Sequence, residues 1–276
     1  MVRVTTTDRR GALRTGAGLV AGSALAAACS APGPAAAPAA PPGTPGSTDP
    51  PQPGDPSGST APSADTPAPL APRAYPGRPA QLTHGPRDRP RVALTFHGQG
   101  DPALARALLT EAEKRGARLT VLAVGGWLDQ HPEMARRILD GGHDLGNHTQ
   151  RHLAVNAMPE AAARAEIADC AARLHRLTGS IGTWFRPSRA PRASPLVARL
   201  ARAAGYPHVL SYDVDSLDFT SPGAAAVTRN VLSAIRNGSV VSMHFGYPGT
   251  VAALPAVLDE LDRRGLRAVT TTELLS

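Results

Sequence analysis

From Arg91 onward, short apolar runs alternate with stretches whose apolar positions recur every three or four residues. "RVALTF", "RLTVLAV", "HVLSYDV", "SVVSMHF" and "LRAVT" read as strands, with "HDLGNHT" and "GTWFRP" as shorter strand-like pieces. Continuous apolar runs of this length suit strands buried on both faces. The segments between them read as helices. "ALARALLTEAEKRG" has Asp101 as N-cap, Pro102 in its first turn and Gly116 as its stop. "HPEMARRILDGG" is opened by proline and closed by glycine, and "PEAAARAEIADCAARLHRLTG" ends at Gly179. "SPLVARLARAAG", "SPGAAAVTRNVLSAIRNG" and "GTVAALPAVLDELDRRG" complete the set. This βα alternation, with about seven strands, predicts an α/β fold around a parallel sheet, closed or nearly closed into a barrel. Such folds carry function at the carboxyl ends of the strands. Those ends hold His97, His148, Arg186, Asp215 with Asp218, and His244, so metal or acid–base chemistry is the expectation.

The first part of the chain follows neither rhythm. Residues 1–29 read as an export signal: a twin arginine, Arg9-Arg10, then an uncharged stretch from Thr15 to Ala28. That stretch is too short to span a bilayer and fits a signal-peptide core. The arginine pair resembles a twin-arginine translocation signal. "LAAAC" resembles a bacterial lipoprotein cleavage site with its leucine one place early, which makes Cys29 the expected lipidated residue. The expected location is the outer face of the cell membrane, by a lipid anchor, or the medium. Residues 30–82 read as a disordered tether, since residues 31–80 hold sixteen of the 28 prolines. Residues 83–276 are left as one domain of ordinary size.

Charge narrows the function classes. The net charge is +7, with Lys114 the single lysine among scattered arginines and only 4% aromatic residues. No dense basic run with interleaved aromatics exists, so nucleic-acid binding is not expected. No G-x-S-x-G turn occurs, so a serine hydrolase is not expected either. Cys170 lies on an apolar helical face and reads as core packing.

"GNHTQRH" places His148 and His152 four residues apart, a spacing at which two imidazoles can face one divalent ion. In its setting, "GGHDLGNHTQRHLAV" resembles the second motif of the polysaccharide deacetylases, the NodB-like carbohydrate esterases. "VALTFHGQGDP" is similar to their first motif, "FRPSRA" to the third, "YDVDSLDF" to the fourth and "SVVSMHF" to the fifth. The resemblance implies a deformed (β/α) barrel of seven or eight strands. It also implies metal-assisted removal of acetyl groups from N- or O-acetylated cell-envelope polysaccharide, peptidoglycan or chitin-like. It implies one divalent ion, Zn2+ or another first-row metal, held partly by His148 and His152. His244 corresponds to the catalytic acid, Asp218 (or Asp215) to its carboxylate partner, and Arg186 to the arginine that steadies the catalytic carboxylate. The backbone N–H of Arg189 corresponds to an oxyanion donor.

The first motif departs from the family. Where the family has two aspartates, a base and a metal ligand, this chain has His97 and Gly98, followed by Gln99 and Gly100. Three readings are open. His97 is the third metal ligand; or His97 is the base and Asp101 supplies the third ligand; or the site binds glycan or a partner without chemistry, as an envelope lipoprotein. Gln99 is a candidate for hydrogen bonding to substrate. Tyr247 packs its loop or stacks on a sugar. His143 reads as structural, Trp127 and Trp184 as core, His84 and His131 as surface, and His175 and His208 as lacking partners.

Overall fold

The structure, a computed structural model, describes residues 71–276. The export signal, Cys29 and the tether up to residue 70 lie outside the described residues. Among the described residues, eight parallel strands and eight helices follow in the order β1 (Gln81–Leu82), β2 (Arg91–Gly98), α1 (Pro102–Lys114), β3 (Thr120–Ala123), α2 (Gly125–Gln130), α3 (Glu133–Asp140), β4 (Asp144–Asn147), α4 (Glu160–Thr178), α5 (Pro195–Ala203), β5 (Val209–Leu210), β6 (Val214–Asp215), α6 (Ala224–Ala234), β7 (Val240–His244), α7 (Pro248–Arg263), β8 (Arg267–Ala268) and α8 (Thr271–Leu275). The main sheet runs β4-β3-β2-β7-β6, with β8 pairing the start of β2. Bridges from Phe185 to Asn147 and to Val209 carry the order on to β5, which pairs with β1. The chain then passes from β5 into β6 within a few residues, so the sheet wraps into a deformed (β/α) barrel.

The local causes are those the sequence offers. Asp101 caps α1 by accepting from Ala103 N–H at 2.8 Å. Ser194 caps α5, with Pro195 in its first turn. Gly179 ends α4 at φ 78°, a left-handed conformation that glycine adopts without Cβ strain. β2 runs through the middle of the sheet with Val92, Ala93, Leu94 and Phe96 fully buried. Val92, Leu94 and Phe96 pack in one cluster with residues of α1 and α7, and Ala93 packs on the opposite face with Leu122 and Trp184, so the strand that ends near His97 is fixed from both sides.

Two expectations change. The packed chain begins before residue 83: β1 pairs with β5, and Tyr75 stacks on Trp184 with ring centroids 5.7 Å apart. Proline-rich composition concealed these few residues. His208 has partners: Nε2 accepts from the Tyr75 N–H at 3.0 Å, and Nδ1–H donates to the Pro79 carbonyl at 2.8 Å. Other readings match what is seen. His143 is buried, accepts from Leu119 N–H and faces Glu113. Trp127, Trp184 and Cys170 are core residues. Burial pushes the Cys170 thiol up to about 12, which leaves it a protonated, inert side chain.

Candidate functional site

The strand ends converge on one polar pocket. His97 and His244 are cross-strand neighbours at the ends of β2 and β7. His148 follows β4 directly, Arg186 follows the Phe185 bridge, and Asp218 opens a 3₁₀ turn after β6. Asp218 is buried; its Oδ1 accepts from His244 Nδ1–H at 2.7 Å. Its Oδ2 accepts from the His244 N–H at 2.8 Å and from the Thr250 hydroxyl at 2.7 Å. Asp215 instead caps its own turn by accepting from Leu217 N–H.

Arg186 is fully buried without a carboxylate partner. Its Nε and Nη2 donate to the carbonyls of Leu210 and Ser211 at 3.0 and 3.1 Å, and Nη1 donates to His97 Nε2 at 3.2 Å. The Tyr212 ring lies 5.4 Å from the guanidinium carbon. Burial lowers Arg186 to about 10, still charged at neutral pH.

These contacts fix the protons. A guanidinium only donates, so His97 Nε2 is a lone pair. Burial first, then the neighbouring His148, His244 and Arg186, hold His97 well below its usual pKa, so it is neutral and its one proton is on Nδ1. That proton donates to His244 Nε2 at 2.8 Å, and His244 carries its own proton on Nδ1 toward Asp218. The result is a directed chain, Arg186 to His97 to His244 to Asp218, in which every ring nitrogen is engaged.

The other half of the pocket differs. His148 is fully buried, and its Nδ1–H donates to the Arg186 carbonyl at 3.0 Å. Its Nε2 is therefore an unprotonated acceptor, and it has no hydrogen-bond partner among the described residues. His152 sits in a left-handed turn at φ 57°, its ring 5.0 Å from that of His148. Burial, followed by the charge of Arg189, lowers His152 to about 4. Arg189 Nε donates to the His152 carbonyl at 3.0 Å, and the Arg189 N–H has no partner among the described residues.

Gln99 lines a cavity beside His244 with its side-chain amide unpartnered among the described residues, whereas the Asp101 carboxylate is engaged as the cap of α1. Sequence reasoning missed two residues here. Thr250 clasps Asp218. Glu166, buried on α4, accepts from Arg151 N–H and Nε at 2.8 and 2.6 Å and so shapes the turn between His148 and His152. Glu166 had a signal: it is a carboxylate inside the apolar stripe of Ala163, Ile167, Cys170 and Leu174.

A divalent ion at this pocket would find two suitable donors. His148 presents an orphaned lone pair, and His152 is neutral beside it. Catalytic zinc sites use three protein ligands, and the third is not furnished. The His97 ring stacks on His148 at 4.2 Å, with both nitrogens engaged elsewhere, one by a cation. Gly98 has no donor, and a Cβ there would lie 2.9 Å from Val121 Cγ1 and 3.1 Å from Ala123 Cα. Among the described residues no group of three or more His, Cys, Asp or Glu side chains is placed to hold a metal. The three-histidine arrangement does not fit these residues.

Comparison with known proteins agrees with the motifs. The polysaccharide deacetylase family model matches residues 84–209. A peptidoglycan-N-acetylglucosamine deacetylase of Bacillus cereus is 29% identical over 194 residues, 69% of this chain and 90% of the relative. The crystal structure of a peptidoglycan N-acetylglucosamine deacetylase in complex with a naphthalenyl N-hydroxybenzamide superposes with a TM-score of 0.67 at 26% identity, over 71% of this chain and 92% of that one. A carbohydrate esterase family 4 pseudoenzyme from Bacillus anthracis has the same TM-score at 24% identity, over 72% and 70% of the two chains, a likeness of fold. By this match and these likenesses, residues 84–209 form a domain of the polysaccharide deacetylase family.

Proposed function

We propose that the domain binds acetylated cell-envelope glycan, peptidoglycan or chitin-like, at the deacetylase-type pocket without hydrolysing it. In this reading the protein is exported and held at the outer face of the membrane by a lipid on Cys29, or secreted. The observation that carries it is the state of His97: in place of a base, the pocket holds a neutral imidazole closed between Arg186 and His244. His244 Nε2 already accepts a proton from His97, so it has none to give a leaving amine. The ligand class comes from the family and its relatives. His148 Nε2 suits it, because a buried acceptor without a partner is satisfied by a sugar hydroxyl or an acetamido N–H.

That same orphaned atom favours a second reading, metal-assisted deacetylation. There His148 and His152 would hold the ion, Zn2+ or another first-row metal, which when bound polarises the acetyl carbonyl and activates water. The test is to incubate the full-length protein with N-acetylated chito-oligosaccharides and with peptidoglycan, with and without chelator. Retention of glycan without free acetate, indifferent to chelator, is the expected outcome. Acetate release that is abolished by chelator and by His148→Ala would replace the first reading with the second.

A further inference from the structure

The end of the barrel opposite the histidine pocket collects charge of one sign. The paired strands are parallel, so their first residues gather at that end. β2 runs for eight residues, which sets the two ends roughly 25 Å apart. Three hollows open there. One of about 840 Å³ is lined by His84, Arg87, Arg236 and Arg264, with Asp213. A smaller one of about 170 Å³ shares Leu266 with it and is lined by Arg115 and Arg267, with Asp262. The third, of about 510 Å³ beside Tyr75 and His208, is lined by Arg78 and Arg202 and by no carboxylate. Seven arginines thus stand against two carboxylates, and Asp213 is already paired with Arg87 at 2.7 Å. Arg115, Arg264 and Arg267 have acidic partners nearby. Arg78, Arg202 and Arg236 are exposed, and their guanidinium groups make no ion pair or hydrogen bond among the described residues. These arginines come from separate loops and helix ends, so no basic run marks them in the sequence.

The chain also enters the domain at this end. The Tyr75 N–H donates to His208, just before β5, and the Tyr75 hydroxyl donates to the Thr272 carbonyl at 3.4 Å. Residues 1–70 therefore join the domain on the arginine-bearing face. We propose that this face docks on an anionic phospholipid bilayer, its phosphate head groups meeting Arg78, Arg202 and Arg236, so that the histidine pocket points away from the membrane. The proposal rests on the export reading above, in which the N-terminal segment holds the protein at the outer face of the membrane. A chain held there presents its point of entry to the bilayer, and the tether keeps a weak surface contact at high effective concentration. A guanidinium offers a phosphate a planar fork of donors. A single free phosphate needs donors that converge on one point. The three unpaired arginines instead border two separate hollows, as an array of head groups requires.

The experiment is co-sedimentation of the full-length chain carrying Cys29→Ala with vesicles of phosphatidylcholine, alone or mixed with equal parts of phosphatidylglycerol. Cys29→Ala removes an acyl anchor, and the ratio of anionic to neutral binding cancels apolar insertion by residues 1–29. Each basic residue near an anionic surface adds about fivefold to partition. Combining Arg78→Glu, Arg202→Glu and Arg236→Glu should therefore lower the ratio on the order of a hundredfold. The same change of charge near the pocket end, by Arg106→Glu, Arg164→Glu and Arg192→Glu, should leave it within about threefold, because charges beyond a Debye length are screened. These three are exposed residues early in α1, early in α4 and before α5. No preference for anionic vesicles overturns the docking face. An equal fall in both triple variants overturns it too, since net charge and not this face would carry the binding. Capture of soluble polyphosphate without vesicle binding would assign the arginines to a soluble polyanion and likewise overturn it. Acylation of Cys29 is read separately, by labelling the wild type with a palmitate analogue, so the anchor and the face fail independently.

Discussion

The two halves of the pocket are built from the same residue type and come out opposite. On the β2–β7 side, His97 and His244 are cross-strand neighbours, and Arg186 and Asp218 stand at either end of the pair. A donor-only cation at one end and an acceptor-only carboxylate at the other leave a single arrangement of protons, and every ring nitrogen is satisfied internally. On the β4 side, His148 has one nitrogen pinned by the Arg186 carbonyl and the other with no partner among the described residues. Histidines at strand ends therefore carry no fixed meaning. The group on the far nitrogen decides whether the near one faces a ligand or a neighbour.

Acid tests the comparison most broadly. His97 and His148 are held well below the usual histidine range and His152 at about 4, burial being the first cause for each. Between the ordinary value of 6.5 and these lowered values the unfolded chain binds more protons than the folded one. Stability contributed by these groups is therefore complete above pH 6.5 and is lost as pH falls toward 4. Urea midpoints measured from pH 7 down to 4.5 should drop steadily, and His152→Asn should flatten part of the slope. A flat profile would break the account of three neutral imidazoles.

Arg186→Ala removes three donors from a fully buried site and leaves two carbonyls and His97 unsatisfied. A loss of about 3–5 kcal/mol in denaturation is expected. Glu166→Gln weakens the clasp on Arg151 that shapes the His152 turn, and about 1.5–3 kcal/mol should go with it. If glycan binding depends on His152, it should weaken in the same variant. Gly98→Asp returns a carboxylate to the motif, but its Cβ meets Val121 and the β3 backbone. Overpacking should cost about 1–3 kcal/mol without creating a metal site. A stable Gly98→Asp variant that takes up zinc would show that β3 yields.

Much of this was legible beforehand. Asp101 with Pro102, the stop at Gly179 and the polar residues at strand ends are local signals, and each has the place expected for it. The six-residue α2 was not anticipated, because "GGWLDQ" is too short to show a period. β1 and Tyr75 were hidden in proline-rich sequence, where two pairing residues leave no pattern. "GTWFRP" contributes only the bridges at Phe185. The role of His97 was the least legible, since a sequence shows that an imidazole is present but not what each nitrogen meets.

The most direct test of the closed His97 chain is metal stoichiometry by mass spectrometry on the full-length protein, beside His97→Ala and His148→Ala. The account predicts no first-row metal retained through dialysis, and added zinc bound with the same weak affinity by the wild type and His97→Ala. About one ion per chain, retained by the wild type and lost in both variants, would contradict it and make His97 the third ligand.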